Sequence, residues 1–183
     1  MIETERLVLR RLREDDLDAF AEIFAKEPVM KFSNYQRGLT REESADVLGR
    51  LMKHWDDHGF GHWAVVQKSD EAFLGYEGLA IPFFLPEVMP AVEIGYRLDP
   101  SAWGKGYATE AGRAAFSYGF ETLDLERIIA IYDVENIRSG RVMERLGMHV
   151  ERDTTHPEQE GATLRVYELS RDEWRAGQTS LTN

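Results

Sequence analysis

Apolar residues recur along the chain at both helical and strand periods, and the order of the two predicts a mixed α and β fold. Residues 6–12 (RLVLRRL) put Leu7 and Leu9 on one face of a short strand. Residues 15–25 open on acidic side chains, which suit the positive end of a helix, and space Leu17, Phe20, Ala21 and Phe24 at helical intervals. Thr40-Arg41-Glu42-Glu43 has the form of a capping box and opens a second helix. Ala45, Leu48, Met52 and Trp55 share its face, and Gly59 marks its end. Residues 62–68 (HWAVVQK) and 73–81 (FLGYEGLAI) are β-rich runs separated by four residues, a hairpin. Residues 82–90 (PFFLPEVMP) hold too many prolines for a regular element, yet carry Phe83, Phe84, Leu85 and Met89. Such an apolar loop has to pack into the core or against a ligand or partner.

Residues 91–98 (AVEIGYRL) read as a strand that Asp99-Pro100 ends, and 106–123 as a helix. Residues 127–132 (RIIAIY) form a buried strand, Asn136 caps a helix that stops at Gly147, and 148–153 and 163–170 close the pattern as strands. The predicted order is β-α-α-β-β-β-α-β-α-β-β. The polar residues after Trp174 are expected to fray, so the domain is placed at 1–174 with a flexible tail over 175–183.

The 183 residues suit one domain. Lys and Arg number 22 against 33 Asp and Glu, a formal charge of −11 that argues against a general nucleic-acid binder. With no cysteine, disulfides, thiol nucleophiles and thiolate metal sites are all excluded. No long apolar run appears near the start, so no membrane partner is expected and a cytoplasmic protein is the default. His54 and His58 lie one helical turn apart, but no further ligand completes a metal site, and none is assigned.

The chemistry concentrates where a strand turns into a helix at Trp103-Gly104-Lys105-Gly106-Tyr107-Ala108. A helix opening offers unpaired N–H groups to an anion, and glycine lets a ligand approach the backbone, so a pyrophosphate suits this turn. Neither the Walker nor the dinucleotide glycine pattern is complete here.

The turn, the opening ETERLVLRRLREDDLDAF, the strand EIGYRLDPSAWGKGYATEA and the segment VENIRSGRVMERLGM together resemble the GNAT family of N-acetyltransferases. Gly106 and Ala108 match the last two anchors of that family's pyrophosphate loop. Trp103 replaces its Arg or Gln, as in the branch similar to ribosomal-protein N-terminal (alanine/serine) acetyltransferases. The resemblance implies a single α/β (α+β) domain with a twisted, mostly antiparallel central sheet flanked by helices, and a cofactor cleft between the fourth and fifth predicted strands. It implies acetyl-CoA as co-substrate, its arm pairing with backbone groups of Tyr96, Arg97 and Leu98. Trp103, Gly104, Lys105, Gly106, Tyr107 and Ala108 would hold the pyrophosphate, and Asn136 would order the site.

Acetyl transfer to an amine needs a neutral nitrogen and a proton for the departing thiolate. An alkyl amine is neutral about 0.04% of the time at pH 7, an α-amine about 14%. Strand alternation puts Glu93, Gly95 and Arg97 on one face, and a mid-strand carboxylate demands a partner, water or a function; Glu93 is the candidate base. Family members that place a Tyr seven residues after the Asn use it as the acid, but that position is Met143, which cannot donate. The N-x-x-S form of Asn136-Ile137-Arg138-Ser139 makes Ser139 the candidate donor instead.

The expected function is direct transfer to a primary amine, either a peptide or protein N-terminus or a small-molecule amine, by a monomer or homodimer. The competing reading is a catalytically silent acetyl-CoA-binding sensor or interaction module. The acidic excess leads to a further expectation, an acceptor cleft of negative charge.

Overall fold

A computed structural model describes residues 1–180. Eight strands, β1 (Ile2–Glu3), β2 (Leu7–Arg11), β3 (His62–Gln67), β4 (Phe73–Ala80), β5 (Glu93–Leu98), β6 (Arg127–Asp133), β7 (His149–Thr155) and β8 (Thr163–Ser170), form one sheet. Its order is β1-β2-β3-β4-β5-β6-β8-β7, and every neighbouring pair is antiparallel except β5 and β6. Around it lie α1 (Leu17–Phe24), α2 (Glu27–Met30), α3 (Arg41–His58), α4 (Tyr107–Ser117), α5 (Ile137–Arg145) and α6 (Arg171–Ser180).

Strand alternation sends side chains to two cores. Leu9, Trp63, Val65, Leu79, Ile94 and Leu98 pack with Ala111, Ala115 and Phe116 of α4 on one face. Ala64 and Tyr76 pack beneath Phe20, Phe24, Met30 and Leu48 of α1 to α3 on the other. There the Phe20 and Phe24 rings stack at 4.0 Å, and Phe24 on Tyr76 at 5.5 Å. The predicted cap of α3 is present, with the Glu43 N–H donating to Thr40 Oγ1 at 3.2 Å and the Thr40 N–H to Glu43 at 2.9 Å. Gly59 closes the helix in the left-handed conformation.

Three elements add to the predicted order. β1 is a two-residue edge, and α2 is a single turn with a proline in its first positions. α6 is the third, and it changes the reading of the C-terminus. The chain is helical across 174 rather than leaving the domain there, with the Trp174 ring 5.3 Å from Phe120. Residues 181–183 of the expected tail lie outside the described residues. The 82–90 loop divides its apolar side chains. Leu85 and Val88 are buried against Ile129, Leu164 and Val166, while Phe83 is exposed. No helix among the described residues is long and apolar enough to cross a membrane.

The one parallel joint shapes the site. β5 and β6 pair only at Glu93 with Ile129, supported by the Ile129 N–H donating to the Val92 carbonyl at 3.0 Å. Beyond that point they diverge. Because Asp99 N–H donates to the Leu74 carbonyl of the β4 side, alternation turns the backbone groups of Arg97 and Gly95 toward β4 and those of Tyr96 and Leu98 toward the gap.

Candidate active site

A cleft of about 1340 Å³ runs through this gap and reaches both faces of the sheet. On the α1 and α2 face it is lined by His62, Glu93 and Arg97, and on the α4 and α5 face by Tyr96, Asn136, Ser139 and Met143. The expected base and acid therefore sit on opposite sides of one opening.

Tyr96 and Leu98 offer an open sheet edge of the kind an extended amide chain can join. Arg97 does not, since its backbone faces β4; its contribution to the cleft is its side chain. The Leu98 carbonyl accepts from the Trp103 indole N–H at 2.8 Å, which fixes the residue that replaces the usual Arg or Gln. Arg138, a residue the sequence pattern did not single out, lays its guanidinium 4.9 Å over the Trp103 ring and so brings a cation to the turn.

Gly104 and Gly106 both have positive φ, 73° and 82°, and Gly106 is the cap of α4. This left-handed pair brings the chain tightly into the helix with its first N–H groups free to meet an anion. Trp103, Gly104, Gly106, Tyr107 and Ala108 line the main cleft. Lys105 lines an adjoining hollow of about 530 Å³ with Arg6, Arg113 and Arg145, where Glu5 and Glu110 also stand. Arg6 is tied down by Glu110 at 2.7 Å and donates to the Lys105 carbonyl at 2.9 Å. Open edge, glycine turn and basic hollow together fit a long ligand with an amide arm and phosphates.

Asn136 caps α5, its Oδ1 accepting from the Ser139 N–H at 3.4 Å. Ser139 Oγ in turn accepts from the Tyr96 hydroxyl at 3.2 Å, which leaves the serine's own proton to point elsewhere. Burial raises the Tyr96 phenol, with the Ser139 bond opposing, so it remains a donor at neutral pH. Met143, at the position of the family's acid, is buried.

On the opposite face Glu93 heads the gap. Burial pushes its carboxyl up to about 8, with the Arg97 charge pulling the other way. His62 reaches across Gly95, where a Cβ would stand 3.3 Å from its Nε2. Burial, with the charges of His54 and Arg97 adding, holds this imidazole down at about 3. It is neutral at physiological pH, a partner for water or substrate rather than a base. Its position was hidden in the sequence because only the pairing of β3, β4 and β5 brings it over Gly95. His54 is engaged on both nitrogens, with Nδ1 2.8 Å from the Phe60 carbonyl and Nε2 accepting from the Ile81 N–H at 3.2 Å.

Charge on the acceptor face differs from the expectation. Arg97 and Lys31 line it together with Glu93 and Asp133, the latter on the face of Ile129 and Ile131, so the cleft there is mixed in charge rather than negative. The acidic excess lies elsewhere on the surface. Beneath the other face is Glu77, fully buried on β4, with neither carboxylate oxygen hydrogen-bonded among the described residues. Burial pushes it well above the carboxylate range, which makes it a neutral acid.

Comparison with known proteins decides the family. The acetyltransferase (GNAT) domain matches residues 6–149. The chain belongs to the GNAT family. An uncharacterized N-acetyltransferase, YnaD of Bacillus subtilis (strain 168), is 33% identical over 82% of this chain and 83% of its own length. The FsC-acetyl coenzyme A-N(2)-transacetylase of Aspergillus fumigatus is 32% identical over 94% of this chain and 77% of its own. A GNAT-family acetyltransferase of known structure from Bacillus anthracis superposes with a TM-score of 0.77 at 27% identity, covering 93% of this chain and 98% of the other. This GNAT domain is an acetyl-CoA-dependent N-acyltransferase.

Proposed function

We propose that the protein transfers the acetyl group of acetyl-CoA directly to a primary amine, with Glu93 as base and Ser139 as proton donor. The observation that carries this reading is their placement on opposite sides of the single opening between β5 and β6. Acetyl-CoA, when bound, supplies the thioester. Tyr96 and Leu98 hold the pantetheine arm along the open edge, Trp103, Gly104, Gly106, Tyr107 and Ala108 hold the pyrophosphate, and Lys105 adds charge from the side. Asn136 fixes the start of α5 and so the place of Ser139.

Glu93, directly or through a water, takes a proton from the acceptor ammonium, and the freed nitrogen attacks the thioester carbonyl. The new N–C bond forms as the C–S bond breaks. Of the two protons that nitrogen loses, one passes through Glu93 to solvent and one balances the proton that Ser139 gives to the thiolate. The absence of cysteine supports direct transfer over an acetyl-enzyme on sulfur. The relative named for N(2)-transacetylation from acetyl coenzyme A supports an amine nitrogen as acceptor. The test is release of free CoA thiol with acetyl-CoA and a panel of amines and short N-terminal peptides. Thiol release matched by acetylated product is expected with at least one of them; none with any would overturn the reading.

A further inference from the structure

We propose that the acceptor is a small amine carrying its own carboxylate, an amino-acid type of substrate, and that the Arg97 side chain is the group that recognises the carboxylate. The inference rests on the acetyltransferase reading and narrows its acceptor. Arg97 is a half-buried guanidinium opening into the acceptor side of the cleft. Its one protein hydrogen bond among the described residues goes to the Val29 carbonyl of α2 at 3.2 Å, and no described carboxylate lies within 4 Å of it. Two arginines on the cofactor side are engaged by the protein, Arg6 with Glu110 and Arg138 over Trp103. A guanidinium has five N–H donors in a planar fork that matches a carboxylate, and a half-buried one that spends a single donor on the protein is ready to take an anionic partner.

The geometry supplies the other end of the same molecule. Glu93, Gly95 and Arg97 share one face of β5, and the neutral His62 imidazole lies over the glycine between carboxyl and guanidinium. Carboxyl, imidazole and guanidinium all line the same cleft, so an acceptor that passes the ring with its amine at Glu93 can present a carboxylate toward Arg97. The roof above is closed by two hydrogen bonds that join distant segments, Asn34 to Glu158 and Gln36 to Gln159, both at 2.9 Å. That strap limits the room for a polypeptide beyond the first residue. Arg97 and Lys31 also put two positive charges on this face, which a polycation would have to meet.

The test compares kcat/KM for an amino acid, its carboxamide, the corresponding decarboxylated amine and spermidine. A series of ω-amino acids sets the distance between the two groups. In the native protein the free acid is expected to exceed the decarboxylated amine by about tenfold or more, the usual worth of a charged hydrogen bond. Arg97→Gln should bring that ratio close to one, and Arg97→Lys should restore part of it. Equal or better turnover of the decarboxylated amine or of spermidine by the native protein overturns the inference while leaving acetyl transfer intact. So does an Arg97→Gln variant that lowers all acceptors alike. If no acceptor releases CoA at all, both the inference and the reading beneath it fail. The comparison of acceptors on the native protein stands even if the variants do not fold.

Discussion

At Glu93 burial sets the direction of the pH dependence. A carboxyl held at about 8 by burial is mostly protonated at pH 7, and it serves as a base only once charged. kcat/KM should therefore rise with pH and level off above about 8. Glu93→Gln should lower the plateau by roughly 10²- to 10⁴-fold, the usual worth of a general base, and flatten the profile. A profile unchanged in shape would remove Glu93 as the base. Across the gap, Tyr96 and Ser139 act on one proton if their hydrogen bond orients the serine. Ser139→Ala and Tyr96→Phe should each slow thiol release, and the double variant should be little worse than Ser139→Ala, because coupled groups are not additive. Additive losses would separate the two. Glu93, Asn136 and Ser139 were legible in the sequence because a motif or a strand period marks them. His62, Glu77 and Arg138 were not. Each draws its meaning from a neighbour far along the chain, and a charged or polar residue in a strand looks the same whether it faces water or a core.

Elements were legible in proportion to their length and punctuation. α3 has a capping box at one end and a left-handed glycine at the other, and β3 and β4 are β-rich runs about a short turn. By contrast α2 is four residues long, and β1 is two residues held by its pairing with β2. α6 shows the difference most clearly. Its sequence is polar enough to suggest a fraying end, but Trp174 packs beside Phe120, and Arg171 donates to the Leu125 carbonyl at 2.8 Å. The helix is thus held by tertiary contact more than by propensity. Trp174→Ala should destabilise the domain by about 1–3 kcal/mol, below the cost of a fully buried tryptophan because the ring is half-exposed. Chemical denaturation would read this as a lower midpoint at unchanged slope; no change would mean that α6 merely lies on the surface.

For the molecule as a whole, two features of the core set how stability responds to conditions. Glu77 is neutral when buried, so the folded protein holds a proton that the unfolded chain releases above its ordinary carboxyl range. With more protons bound in the folded state, stability falls as pH rises beyond that range, by at most about 1.4 kcal/mol per pH unit for this group. Glu77→Gln removes the titration, so the midpoint of the variant should gain on the native protein as pH rises above the ordinary carboxyl range. Parallel pH curves would show Glu77 to be charged and solvated. The second feature is the sheet itself, which is continuous on either side of β5 and β6 but joined there at one register pair. A ligand that lies along the open edge and reaches α4 and α5 binds only when both halves are in place, so its binding energy adds to folding. Acetyl-CoA at a hundredfold excess over its dissociation constant should add about 2.7 kcal/mol, which for a domain of this size raises the melting temperature by roughly 5–10 °C. Gly106→Ala forces a side chain into a left-handed backbone at φ 82° and should reduce that shift. The same melting temperature with and without acetyl-CoA in the native protein would mean that the gap does not hold the co-substrate. A full shift in Gly106→Ala would place the phosphates away from the glycine turn.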